Sequence, residues 1–143
     1  MATGFRYIGT TDDIVECQQC GKTELRNTVV LALLDADGNT TETVYYGSTC
    51  AARALDISGG SRRVLAAARG AGMRLADTAR NSRALLDHYG FAHSGRISGE
   101  DILNAVPAFT VANPHAAGNA FANIRDMVKR HQQTIAEAVL IGA

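Results

Sequence analysis

Three cysteines are the residues in this 143-residue chain whose types and spacing best suit chemistry, and they fall as a pair and a singleton. Cys17-Gln18-Gln19-Cys20-Gly21-Lys22 places two thiols within reach of one tight turn. A tetrahedral ion takes two thiolates from such a turn, and a glycine after the second cysteine lets the backbone fold back so that amides face sulfur. Cys50 follows Gly47-Ser48-Thr49, which reads as a turn and a hydroxyl cap opening a helix through Leu55. In a helix's first turn the dipole and the unpaired N–H groups favour a thiolate. Zinc held by Cys17, Cys20 and Cys50 is the expected chemistry.

Two other readings of the cysteines stay open. A redox Cys-x-x-Cys wants its first cysteine opening a helix, whereas a turn and a strand follow here. Three inert, buried, metal-free thiols are the other, since a lone cysteine often serves as core filler. An odd number of cysteines in a reducing compartment argues against a disulfide framework.

The elements that must position these thiols can be read from the flanking pattern. Phe5-Arg6-Tyr7-Ile8 reads as a short strand and Gly9 to Asp13 as a turn leading to Cys17. Thr28 to Leu34 and Thr41 to Tyr46 read as the two strands of a hairpin around Asp35-Ala36-Asp37-Gly38-Asn39. The first of these strands is apolar at nearly every position, so both its faces need cover. Gly59-Gly60 breaks the helix after Cys50. Ser61 can then cap one long helix, or two in line, from Arg62 to about Tyr89. Ser98 caps a short helix that Pro107 stops, and Asn113-Pro114 opens a last helix in which Phe121, Ile124, Val128, Ile135 and Val139 recur at helical spacing.

The order knuckle, hairpin, helix resembles the treble-clef zinc fold. Cys17-Gln18-Gln19-Cys20-Gly21-Lys22 and Gly47-Ser48-Thr49-Cys50-Ala51-Ala52-Arg53-Ala54-Leu55 also resemble a group of short proteins from actinobacteria and their phages, over roughly the first 55 residues. The resemblance implies two ligands from the helix start, but Arg53 occupies the position three after Cys50 and cannot bind zinc. The fourth ligand is therefore unassigned. His88 and His93, which flank a turn, rank ahead of His115 and His131 among the histidines; an acidic side chain, water or another chain also remain. His131 lies on the apolar stripe of the last helix, which suits a packed histidine better than a ligand.

Charge is unevenly placed although the formal net charge is zero. Residues 61–100 hold seven arginines against three acids, and an anionic partner would meet this segment. Arg62, Arg63 and Arg69 are the candidate nucleic-acid contacts, because arginine pairs well with phosphate oxygens. A solvated helix balancing the acidic first sixty residues is the plainer alternative. Gly59-Gly60-Ser61-Arg62-Arg63 lacks the lysine and glycine spacing of a nucleotide loop.

No catalytic set emerges. Asp12, Asp13, Asp35 and Asp37 sit in turns, where aspartate is common for conformational reasons. An enzyme keeps one opening, namely a zinc with three protein ligands and a water in the fourth position. The histidine and glutamate arrangement of zinc deaminases is absent.

Alanine-rich composition with 6% aromatics and no tryptophan favours packed helices. The expectation is an α+β protein: a small zinc-bound, treble-clef-like β-hairpin unit over residues 1–58, packed on a mainly helical body over 61–143, together one compact domain. The apolar runs are too short to span a bilayer and no secretory pattern opens the chain, so no membrane partner and a cytoplasmic location are expected. The expected function is a non-enzymatic zinc-binding module for nucleic acid or a protein, a further copy of this chain included. A zinc-dependent hydrolase or transferase is the first alternative, and a metal-free, phage-type interaction protein is the second.

Overall fold

The structure, a computed structural model, describes residues 4–57 and 60–143, with only the backbone of Ala117. The fold is α+β. A three-stranded antiparallel sheet in the order β1-β2-β3 is built from β1 (Gly4–Thr11), β2 (Thr28–Leu34) and β3 (Thr40–Tyr46). Four α-helices lie among the described residues: α1 (Ser48–Ala54), α2 (Gly60–Tyr89), α3 (Gly99–Ala112) and α4 (Ala120–Leu140), with a 3-10 helix over Pro114–Asn119 before the last. The chain forms two compact units, one of the described residues up to Ala76 with Ala138–Ala143, the other of Asp77–Glu137.

In the first unit β2 is the central strand, and its apolar sequence is explained by cover on both faces. Val29 and Leu31 pack with Ala51 and Ala52 of α1 and Val64 and Ala68 of α2, while Val30 and Ala32 pack with Ile8, Leu75, Leu140 and Ile141. Val29 through Ala32 are wholly buried. The hairpin turn forms as its residues require: the Asp35 carboxylate accepts from the Asp37 and Asn39 amides at 2.9 Å each, and Gly38 takes φ +83°.

β1 is longer than its sequence indicates. Gly9 to Thr11 continue the strand past a register irregularity between Tyr7 and Gly9, pairing with Val30, Val29 and Thr28. The glycine serves close approach here, because a Cβ on Gly9 would lie 3.0 Å from Ile141 and 3.2 Å from the Gly72 Cα. Two glycines thus let α2 cross β1 backbone to backbone.

α2 is one continuous helix that runs through Gly70, Gly72 and Asn81-Ser82. It starts at Gly60, so Ser61 lies inside its first turn; Gly59, the other half of the expected Gly59-Gly60 break, lies outside the described residues. In the second unit Leu86, Phe91, Ile102, Phe109, Ile124 and Val128 form the centre of one core. Ser98 caps α3 as expected, accepting from the Asp101 amide at 3.1 Å. Pro107 does not stop that helix, which runs on to Ala112. The carbonyl it deprives of a donor belongs to Leu103, an exposed residue within reach of water, and burial of Ile102, Ala105 and Phe109 holds the helix on either side. Asn113 caps backwards: its amide donates to the Phe109 carbonyl at 3.0 Å, and Pro114 begins the 3-10 helix rather than α4.

Gly9→Ala is expected to cost about 1–3 kcal/mol of stability through overpacking. Gly4→Ala, whose new Cβ meets nothing within 4 Å, should stay within about 0.5 kcal/mol of wild type. Denaturant midpoints of the two variants check this, and equal midpoints would contradict the close crossing.

Candidate metal centre

The segment between β1 and β2 is irregular in outline but tied down at intervals. The Thr28 hydroxyl, wholly buried, donates to the Ile14 carbonyl, and the Leu25 amide donates to the Val15 carbonyl at 2.9 Å. At its apex the Gly21 amide donates to the Cys17 carbonyl at 2.8 Å and the Cys17 amide to the Lys22 carbonyl at 2.9 Å, with Gly21 at φ +77°. This is the fold-back that the glycine after Cys20 permits.

Gln18 docks the turn on the sheet, a role its sequence position does not advertise. Its amide donates to the Tyr45 carbonyl at 2.9 Å and its side-chain oxygen accepts from the Tyr45 amide at 3.0 Å. It thereby acts as a one-residue partner for β3, an edge strand whose backbone groups need one. The only hint in the sequence is a side-chain amide, which can bond like a peptide, beside the first cysteine.

Cys50 arrives from the other direction. α1 begins directly after β3, and Cys50 lies in its first turn. The expected hydroxyl cap from Ser48 or Thr49 is absent; the N-cap is the buried Gly47, whose amide serves the Cys17 sulfur instead. Burial of Ala51 and Ala52 against β2 fixes the rotation of the helix.

Together these elements bring the sulfur atoms of Cys17, Cys20 and Cys50 within 4.8 Å of one another. Three thiols so placed can hold a metal ion, and among the described residues they are the only such group. Tetrahedral zinc with sulfur at ~2.3 Å spaces its ligands by roughly 3.8 Å, so the donor set fits that ion with little movement. Cys17 and Cys50 are buried and Cys20 is exposed.

The electrostatics are those of a site prepared for charge. Burial pushes the Cys17 thiol up, but the amides of Gly47, Cys20 and Gln19, with the Cys20 thiol, outweigh it and bring it down to about 7. Burial pushes the Cys50 thiol up to about 11, and the neighbouring sulfurs of Cys20 and Cys17 add to the rise. One thiolate is thus stabilised by backbone dipoles, while a second beside it meets repulsion that a cation would reverse.

A groove of about 560 Å³ adjoins the sulfurs, lined by Cys20 and Cys50 together with Phe5, Gln19, Tyr46 and Arg53. No histidine joins the cysteine group among the described residues. His93 instead pairs with Asp87 at 2.8 Å, and His88 stands edge-on to Tyr89 at 4.9 Å. Arg62, Arg63 and Arg69 are exposed along the first turns of α2. No family model, curated protein or solved structure matches the chain.

His131 is a packed histidine with a neighbour's hydrogen bond, as its place on the apolar stripe suggested: its Nδ1 lies 2.7 Å from the Oγ of buried Ser82. Burial lowers its pKa from the usual 6.5, and the Arg130 guanidinium adds to the effect. Above that value the ring is neutral whether the chain is folded or not, and its contribution is complete. As pH falls below it, the unfolded chain takes up a proton that the folded one resists, so stability falls. Melting at about pH 8 and about pH 5.5 should show a smaller acid loss for His131→Gln than for wild type; equal losses would contradict this assignment.

Proposed function

We propose that this protein is a zinc-binding module of treble-clef type, in which the ion is structural and the module binds a macromolecular partner without catalysing a reaction. The observation that carries the reading is the meeting of three thiols, two from a knuckle and one from the first turn of α1, within 4.8 Å. Three sulfur donors are the chemistry of structural zinc, and the amides around Cys17 supply the outer support that such sites use. The order of knuckle, hairpin and helix supports the treble-clef assignment.

The fourth position is where this chain departs from that pattern. Arg53 stands one helical turn beyond Cys50 and lines the adjoining groove, leaving the remaining coordination position to water or to a group brought by a partner. That opening is what a zinc hydrolase would need, and it favours that second reading. Against it, the groove beside Cys20 and Cys50 is lined by no carboxylate and no histidine, the side chains that most often serve a zinc-bound water as general base. Three thiolates also donate enough charge to blunt the ion as a Lewis acid.

The partner we propose is nucleic acid or another protein, and the exposed arginines of α2 support nucleic acid. Binding through Arg62, Arg63 and Arg69 would weaken steeply with salt, and each arginine replaced by alanine would reduce the slope of log affinity against log salt by about 1. Salt-independent binding would favour a protein partner.

Elemental analysis of the purified chain is the primary test. About one equivalent of zinc is expected, lost in Cys50→Ser together with protection of β2 and β3 amides from exchange; less than about half an equivalent in wild type would sink the proposal. Arg53→Cys should complete the ligand set and raise zinc affinity about tenfold or more. An unchanged affinity would show that the open position does not face α1.

A further inference from the structure

The last helix carries a feature that neither the metal nor α2 explains. Phe121 belongs to the apolar series of α4 by spacing, yet it is 43% exposed, whereas Ile124, Val128 and Ile135 of the same series are buried. It stands in the first turn of α4, and Phe121, Arg125, Lys129 and Gln132, recurring at four, four and three residues, share one face of the helix. That face forms a wall of a cavity of about 350 Å³ within the second unit.

The lining of this cavity is sorted by chemistry. Ile97, Ile102 and Phe121 make an apolar side, Arg96, Arg125 and Lys129 bring three cations, and no carboxylate lines it. Among the described residues neither Arg96 nor Lys129 is in an ion pair, and Arg125 meets only Asp126, at 3.6 Å with both side chains largely in solvent. Three like charges around one concavity repel one another, and an anion inside relieves that repulsion. A solvated face would be expected to intersperse acids, and here none enters.

The loop that carries Arg96 is also fastened. The Gln132 side-chain amide donates to the Ala92 carbonyl at 3.0 Å, His93 is held by Asp87, and the Phe91 amide donates to the Leu86 carbonyl at 2.8 Å while its ring is buried. Gln132 thus ties the cationic face of α4 to the start of the segment that brings Arg96 to the cavity. The volume suits a single nucleotide better than an extended chain, since small-molecule pockets begin at about 300 Å³.

We propose that this cavity binds a nucleotide, its phosphates held by Arg96, Arg125 and Lys129 and its base laid against Phe121. Arginine and lysine serve phosphate by fork and by point charge, and an exposed aromatic ring offers a base a stacking surface independent of sequence. The ligand's source is either a free nucleotide or one residue of a single strand, and both present the same phosphate and base. The site depends on neither the zinc nor the arginines of α2.

The test uses the full chain and four probes: ATP, inorganic triphosphate, adenosine, and a short oligodeoxyadenylate, each titrated by calorimetry with amide spectra to locate the site. ATP or the oligonucleotide should bind saturably and perturb Arg96, Phe121 and Lys129. Arg125→Ala and Lys129→Ala should each weaken binding about tenfold, Phe121→Ala should weaken ATP more than triphosphate, and Arg80→Ala, on α2 outside the cavity, should leave ATP unaffected. Tighter binding of ATP identifies a free nucleotide as the source, and tighter binding of the oligonucleotide identifies a strand. All four substituted side chains are exposed, and circular dichroism confirms that each variant folds. The proposal is overturned by no saturable binding of either up to about 5 mM, by binding indifferent to Arg125 and Lys129, or by triphosphate binding as well as ATP with Phe121→Ala silent.

Discussion

A strand that is apolar on both faces cannot rest on a solvated sheet, and in the first unit that requirement organises everything else. Val29 and Leu31 need cover on one side, Val30 and Ala32 on the other. The first pair is covered by α1 and the opening turns of α2, the second by Ile8, Leu75 and the residues after α4. Seating α1 by Ala51 and Ala52 is what aims Cys50, the residue just before them, toward the knuckle. Burial of hydrocarbon on one face of a seven-residue helix therefore sets the position of the sulfur next to it in the chain. Because transfer of apolar surface from water is the dominant favourable term in folding, the thiol is positioned by a force indifferent to metals.

The knuckle meets that sulfur through hydrogen bonding rather than burial. Most of the residues from Asp12 to Asn27 are exposed, and the segment holds its course by the bonds of Thr28 to Ile14, Leu25 to Val15 and Gln18 to Tyr45. Gln18 satisfies the free edge of β3 at Tyr45, near the end of the strand. The two supports converge on Cys17, which is buried and receives three backbone amides. A site made this way is anchored on one side by packing and on the other by polar bonds.

In the second unit the same economy of burial leaves a polar surface with its own pattern. The core takes Ile124, Val128 and Ile135 from α4, and Phe121, in the first turn of that helix, stays partly in solvent. Ser82 and His131 make a part-buried polar contact inside this unit, satisfying each other where an unpaired group would be costly.

The short-range features were legible in the residues themselves. The knuckle and its glycine, the Asp35 to Asn39 turn, the Ser98 cap and the two-sided burial of β2 all follow from local dihedral preference or from periodicity, which a single stretch of chain contains. What needed the tertiary structure was whatever depends on a neighbour distant in sequence. β1 extends past Gly9 because Val29 and Val30 offer it partners, and α3 passes Pro107 because core contacts on both sides outweigh one lost hydrogen bond. Gln18 finds Tyr45, His93 turns to Asp87 rather than to the thiols, and Phe121 stays in solvent beside three cations, for the same reason. Residue type and spacing state which groups can bond; only the folded chain determines which of them lie near enough to do so.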